Sequence, residues 1–344
     1  MDNLFKYAIS ELSNDAFLCW LISISKNDNL KEKSIEYKVS QTYLRSFCNY
    51  EDKIIVNKEN GIKRQEGDID VLVRGRYDNE DFILVIDNKT TSKEGPEQLK
   101  KYRDYIFKNN KHIKKKNCHF IYYKTAIQSD INKIKEEGYK IFQLFEIYDL
   151  LKSCNAKRSK NQILKNYYDY IKEEAESYLK YLKVNVSGWD EKAFVGFFVY
   201  MSNKLKEDKG IKEIGFGYHD NPNKGHWSLW FSHKRKIKNK DGNKIGFQLN
   251  LETSNKNSNA NWLCRLIVRA DGREDGLQWK KSDIEQYIGK IGNPTVKQPG
   301  KNIILSQLFQ IDKNNKKIKY KSLEKMIMKE LEKYNIWQIK EGFK

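Results

Sequence analysis

The chain has 344 residues, with 65 Lys plus Arg against 46 Asp plus Glu, a formal net charge of +19, and 39% hydrophobic and 13% aromatic residues. That supply of apolar and aromatic side chains excludes a disordered or low-complexity chain, and the length suits one large domain or two ordinary ones. No apolar stretch is long enough to span a bilayer, the start MDNLFKYAISELSNDAF lacks the order of a secretion signal, and Cys19, Cys48, Cys118, Cys154 and Cys264 make neither a Cys-x-x-Cys clamp nor an even disulfide set. The expectation is a cytoplasmic protein with no membrane partner. The positive excess suits a phosphate-rich partner, because neutralised phosphates release counterions. Joint abundance of Lys and Asn, which AT-rich genomes produce, gives the same excess without any ligand, so charge alone does not decide.

In chain order, the first element is a helix over about 13–25, where Ala16, Phe17, Trp20, Leu21 and Ile24 recur at spacings of three and four and Ser13 or Asn14 can cap. A charged, mixed segment follows, then short strands at 54–56, 69–73 and 82–86. The connection Arg76-Tyr77-Asp78-Asn79-Glu80 is short and turn-rich, which predicts an antiparallel hairpin. Pro96 suits the first turn of a helix running through Leu99, Tyr102, Arg103 and Ile106, and 119–123 is a further strand. The order helix, three strands, helix, strand describes an α/β unit over about residues 1–150. Residues 151–183 read as a helical connector, within a largely helical stretch that begins near a cap at Ser129 or Asp130. A second, α+β domain follows over 184–344. It has a helix at 191–205, alternating strands at 227–231, 245–251 and 262–268, turns at Asp241-Gly242 and Asp271-Gly272, and helices near 282–288 and 322–334.

The constellation with chemical meaning lies on the hairpin and the helix after it. Asp70 begins one strand, while Asp87 and Lys89 end the next and share a face because side chains alternate. Two carboxylates beside one ammonium make a poor core and a good seat for Mg²⁺ or Mn²⁺. Such a cation acidifies water and stabilises charge on phosphorus, and the lysine can orient or deprotonate that water or stabilise the transition state. An Asp followed by Asp-x-Lys also arises by chance in charged chains. Two features tip the balance: an apolar run leads into Asp87, and Gln98 and Tyr102 stand one helical turn apart on the next helix.

These motifs, Glu-Gly-Asp-Ile-Asp at 66–70, Ile-Leu-Val-Ile-Asp-Asn-Lys at 83–89 and Gln-Leu-Lys-Lys-Tyr at 98–102, resemble those of the PD-(D/E)XK nuclease superfamily, in particular its RecB-like branch. The resemblance covers roughly the first 150 residues and implies a restriction-endonuclease-like αβββαβ core. It further implies that Asp70 and Asp87 ligate the metal, that Asn88 offers its backbone carbonyl, and that Lys89 is the catalytic lysine. Gln98 and Tyr102 would then hold substrate or site, with Glu11 as the acidic residue of the first helix and Asp15 close by. Ile69 replaces the motif's proline, and the second acid is Asp rather than Glu.

The expectation is therefore a Mg²⁺-dependent deoxyribonuclease, with Mn²⁺ as substitute and DNA ahead of RNA as substrate. A restriction or anti-phage defence role, a partner protein of such a system and a homodimer presenting two sites follow by analogy. The alternatives are a catalytically weak module of the same fold that binds nucleic acid or a protein without cutting, and an interaction subunit. Elsewhere, His219, His226 and His233 straddle turns without cysteines and predict no zinc site. The runs at 111–116 and 234–240 suit either phosphate contacts or solvated loops. Trp227, Leu229 and Phe231 read as core, and Trp230 as the one aromatic placed to stack a base.

Overall fold

The apolar run at 82–86 forms the middle of β4 (Glu80–Lys89), which pairs antiparallel with β3 (Ile69–Tyr77) and parallel with β5 (Cys118–Lys124). The computed structural model describes residues 3–8, 10–26, 34–92, 94–95, 97–207, 211, 213–219, 225–238, 244–254, 261–271 and 302–340. The chain divides into two units, 1–176 and 177–344. The β3–β4 connection is the expected hairpin, with Asp78 and Asn79 at φ 47° and 60°, both in the left-handed region that a two-residue turn between right-twisted strands requires. The sheet is completed by β6 (Lys140–Phe142), parallel to β5, and by β1 (Ile55–Val56) and β2 (Ile62–Glu66), which pair one after the other along β3. Sequence reading places one strand at 54–56 and none at 62–66. Lys63, Arg64 and Gln65 are all exposed on this edge, so no apolar alternation marks it.

Helices cover both faces of this sheet. On one, α3 (Gln98–Asn109) and α4 (Asn132–Glu136) bury Leu99, Tyr102, Ile106 and Ile134 against Leu72, Ile83, Val85, Phe120 and Tyr122. On the other lie α1 (Glu11–Ser23) and α2 (Ile35–Cys48), joined by α5 (Leu144–Ser153) and α6 (Gln162–Tyr178). The observed cap of α1 is Ser10, whose Oγ accepts from the Ser13 N–H, so this helix starts two residues before the sequence-predicted position. The cap of α4 is Ile131, with no side-chain bond, rather than Ser129 or Asp130. Pro96 lies outside the described residues, and α3 begins after Glu97 at φ 57°. The order α1, β2, β3, β4, α3, β5 is the αβββαβ core, with α2 and β1 inserted after its first helix.

The second unit is an antiparallel meander, β7 (Glu213–His219), β8 (His226–Lys238), β9 (Lys244–Thr253), β10 (Trp262–Asp271) and β11 (Asn302–Asp312), each paired with its neighbour in sequence. Among the described residues two α-helices accompany it, α7 (Glu191–Lys206) and α8 (Tyr320–Lys340). Leu229, Phe231, Leu249, Leu251 and Leu266 are buried, as period-two alternation demands. Glu324 of α8 takes hydrogen bonds from Lys204 and, at 2.9 Å, from Tyr200, tying α8 to α7. Gly242, Gly272 and the predicted helix at 282–288 lie outside the described residues.

Candidate active site

The β3–β4 register sets Asp70 opposite Asp87, one step past the last paired residues, Val71 and Ile86. Alternation then divides the end of β4. Asp87 and Lys89 share the face of Ile83 and Val85, toward α3, while Asn88 turns toward α1. Asp87 is fully buried. Its Oδ1 accepts from Lys89 Nζ at 3.0 Å and from Gln98 Nε2 at 3.1 Å, whereas its Oδ2 is buried with no hydrogen-bond partner among the described residues. Lys89 Nζ also stands 3.6 Å from Asp70 Oδ2, which accepts the Asn88 backbone N–H at 2.8 Å.

Burial pushes the Asp87 carboxyl up to about 7; the Lys89 ammonium opposes that, and the charges of Asp70 and Glu11 add to it. Burial acts to lower Lys89, yet Asp87 and Asp70 outweigh it and hold this ammonium above its ordinary range. Lys89 is thus a charged donor between two carboxylates.

The Gln-x-x-x-Tyr pair acts as a clamp. Gln98 Nε2 donates to Tyr102 Oη at 2.7 Å, and Tyr102 Oη donates to the Asp68 carbonyl at 2.6 Å, in the turn that leads into β3. Gly67 and Asp68 make that turn at φ 63° and 66°, and a Cβ on Gly67 would lie 2.7 Å from the Tyr105 ring, so glycine is required there. One end of the clamp therefore fixes Asp87 and the other fixes the strand that carries Asp70.

On the opposite face, Asn88 is the hub of a buried polar network. Its Nδ2 donates to Asp15 Oδ1 at 2.7 Å and to the Glu11 carbonyl at 2.9 Å, and its Oδ1 accepts from Asn14. The chain continues through Asn14 Oδ1, which accepts from Tyr167 Oη at 3.0 Å, to Tyr123 at 2.8 Å. Burial raises the Asp15 carboxyl to about 6, with the Asp70 charge adding to it. Glu11 reaches the same end of the sheet; its Oε1 accepts from the Thr90 N–H at 3.2 Å and from the Ser92 hydroxyl. Lys124, level with Lys89 in the parallel ladder, is buried, donates to the Ser92 carbonyl, and is drawn down by burial to about 8. Asn14, Ser92, Lys124 and Tyr167 are contributors that sequence reasoning misses. The one signal available was Lys124, which ends an apolar strand as Asp87 does.

Among the described residues no three His, Cys, Asp or Glu side chains converge as a metal cage. Asp70, Asp87 and the orphaned Asp87 Oδ2 nonetheless fit a hard cation that keeps most of its waters, as Mg²⁺ does. The basic run at 111–116 lies elsewhere: Lys114 and Lys116 pair with Glu80, at the far end of β4, seven residues and roughly 23 Å from Asp87. The side chains at 234–240 and of His233 lie outside those described. His219 Nε2 bonds Ser228 Oγ at 2.8 Å, His226 stands 3.5 Å from Glu252, and all five cysteines are free. Trp230 lies across Gly215, where a Cβ would fall 2.7 Å from its indole, so that face already has a neighbour. No described helix is long and apolar enough to cross a membrane.

Comparison with known proteins gives one family. Residues 4–172, nearly the whole first unit, match the PD-(D/E)XK nuclease superfamily. No curated protein and no solved structure matches the chain. With strand order, hairpin, paired aspartates and lysine in place, the first unit of this chain belongs to the PD-(D/E)XK nuclease superfamily.

Proposed function

We propose that the first unit is a Mg²⁺-dependent deoxyribonuclease of the RecB-like branch, with Mn²⁺ as a substitute metal. The observation that carries this reading is Asp87 Oδ2, a buried carboxylate oxygen without a hydrogen-bond partner among the described residues, on a side chain that Lys89 links to Asp70. An unpaired buried acceptor costs about 1–3 kcal/mol, more when charged, and a cation removes that cost. Asp70 and Asp87 would hold the metal, with the Asn88 carbonyl and, from α1, Glu11 completing its surroundings. When bound, the metal supplies an acidified water and charge neutralisation at phosphorus. Lys89, held as an ammonium, stabilises negative charge on the phosphoryl oxygens rather than removing a proton. Gln98 keeps Asp87 Oδ1 occupied, which would leave Oδ2 for the cation, and Tyr102 steadies Gln98. DNA is preferred over RNA, restriction or anti-phage defence is the proposed setting, and a homodimer would present two sites for double-strand cutting.

A second reading, a module that holds nucleic acid without cutting, draws on the lack of a third converging carboxylate among the described residues. One experiment separates the two. Plasmid, single-stranded DNA and RNA are incubated with wild type, Asp87→Ala and Lys89→Ala in Mg²⁺, Mn²⁺ or EDTA. The nuclease reading requires cleavage that EDTA and both substitutions abolish. Cleavage persisting in EDTA or in both variants refutes it, and steeply salt-dependent binding without cleavage establishes the module.

A further inference from the structure

The second unit contains a cavity of about 290 Å³ that the nuclease reading does not use. It opens at one end of the meander, where β7 finishes, β8 begins and β9 finishes, beside the first turn of α7. Its back wall is rigid: Trp189 and Phe194 are buried edge-to-face at 5.1 Å, and Trp189 Nε1 donates to the Val184 carbonyl at 3.1 Å. Its mouth is formed by Tyr218, which is 48% exposed and meets Trp227 edge-to-face at 5.8 Å. Gly225 allows that arrangement, since a Cβ there would lie 2.6 Å from the Tyr218 ring.

Two polar features mark the chemistry of an occupant. The Trp227 Nε1–H is buried and has no hydrogen-bond partner among the described residues. Beside it, His226 is set 3.5 Å from Glu252, a buried carboxylate that Arg265 holds with N–H bonds of 3.2 and 3.0 Å. An aliphatic occupant would leave the indole N–H unpaired. A cation would meet that donor and Lys313, which also lines the cavity; of the two acids in the lining, Asp190 is engaged by Lys180 at 2.8 Å and by the Ala193 N–H, and Glu191 is exposed. A bare anion would leave the aromatic faces unused. A flat ring carrying its own acceptor satisfies all of these, and the volume, just below the usual 300–1,000 Å³ of small-molecule sites, suits one ring system.

We propose that this cavity binds a nucleobase, stacked at Tyr218 and accepting a hydrogen bond from Trp227 Nε1. The inference stands on the second unit alone and does not require the first unit to cut. The base can come from a free nucleotide or from an unpaired position in a strand, two sources with the same ring chemistry.

The test is calorimetric titration of the full chain in EDTA with the nucleoside monophosphates, a short single-stranded oligonucleotide and the matching duplex. The expected result is saturable one-to-one binding of a monophosphate or of the single strand, and the arm that binds identifies the source. Asp87→Ala should leave that binding unchanged. Tyr218→Ala, at an exposed position, should weaken it about tenfold or more, and Trp227→Phe, which keeps a ring and deletes the donor, should weaken it severalfold. Absence of saturable binding in every arm overturns the proposal. So does binding that both substitutions spare, that the duplex shares equally, or that Asp87→Ala abolishes.

Discussion

Asp87→Asn should make the metal-free protein more stable while abolishing catalysis. Asp87 is fully buried, and its carboxyl sits at about 7 against the usual 3.8. Between those values the native state binds more protons than the unfolded chain, so this carboxyl's contribution to stability is fully present below about pH 4 and is lost as pH rises through about 7. The gap of about 3 pH units, at about 1.36 kcal/mol each, sets an upper bound of about 4 kcal/mol lost above neutrality. Asparagine keeps the shape and an acceptor for Lys89 and Gln98. The pull of the Lys89 ammonium is already contained in that gap, so the net gain at pH 8 is at most about 4 kcal/mol. For a unit of 176 residues that is at most about 8–16 °C in the melting midpoint. Melting of both proteins by circular dichroism, at pH 5 and pH 8 in EDTA, should show the advantage of Asp87→Asn at pH 8 and its shrinkage or reversal at pH 5. Saturating Mg²⁺ or Mn²⁺, at a hundred times the dissociation constant, should stabilise wild type by about 2.7 kcal/mol and leave the variant almost unmoved. An Asp87→Asn protein that melts below wild type at pH 8 in EDTA, or equal metal shifts in both, would refute the reasoning.

Tyr102→Phe removes the hydroxyl that donates to Asp68 and accepts from Gln98, and should cost about 1–2 kcal/mol in urea unfolding and about tenfold in kcat with little change in KM. Asn88→Ala strands the Asn14 amide and the Asp15 carboxylate in a buried network, and should lower stability by about 2–3 kcal/mol in the same assay. In the second unit, a Cβ on Gly196 would fall 1.9 Å from the Tyr178 carbonyl oxygen. Gly196→Ala should therefore cost about 3 kcal/mol or more, seen as loss of the slowest-exchanging amides of α7 by hydrogen exchange.

The elements legible in the sequence are those whose apolar pattern is unbroken. Residues 82–86 and 119–123 are continuous apolar runs and appear as strands, and Leu99, Tyr102 and Ile106 keep helical spacing on α3. Helix α2 is not legible because its inner face is partly polar. Ser40 and Gln41 are buried beside Tyr37, Leu44 and Phe47, with Gln41 Nε2 donating to the Ile54 carbonyl at 2.8 Å and Ser40 bonding Ser25 at 2.7 Å. Strand β7 hides for a different reason: its apolar positions Ile214, Phe216 and Tyr218 are separated by Gly215 and Gly217, which leave room for Trp230 on the other face, and two glycines in seven residues read as a turn rather than a strand. At the site, strand alternation, the apolar run before Asp87, the one-turn spacing of Gln98 and Tyr102 and the family resemblance together brought out Asp70, Asp87, Lys89, Gln98 and Tyr102, and the structure joins all five by direct contacts. Expecting only a backbone contribution from Asn88 missed its side chain, because a network through Asn14, Tyr167 and Tyr123 links residues up to 153 positions apart.

The sequence Asp-Asn-Lys at the end of β4 has meaning only in one register, and the fold fixes that register twice. The turn at Gly67-Asp68 locks β3 to β2, and the turn at Asp78-Asn79 locks it to β4; each uses two consecutive left-handed residues. A slip of one residue would exchange the faces, placing the Asn88 amide between Asp70 and α3 and driving the Asp87 and Lys89 charges into the network around Asn14 and Asp15. The slipped state would leave buried charges unpaired on one side and a neutral amide where a carboxylate is needed on the other. Buried polar groups on both faces of β4 thus act together: the α1 side holds Asn88 by its side chain, the α3 side holds Asp87 through Gln98, and Lys89 bridges to Asp70. This arrangement can keep one strongly disfavoured group, the Asp87 carboxylate, in place without rearranging to relieve it, and under the proposed function that retained penalty is what a cation would remove on binding.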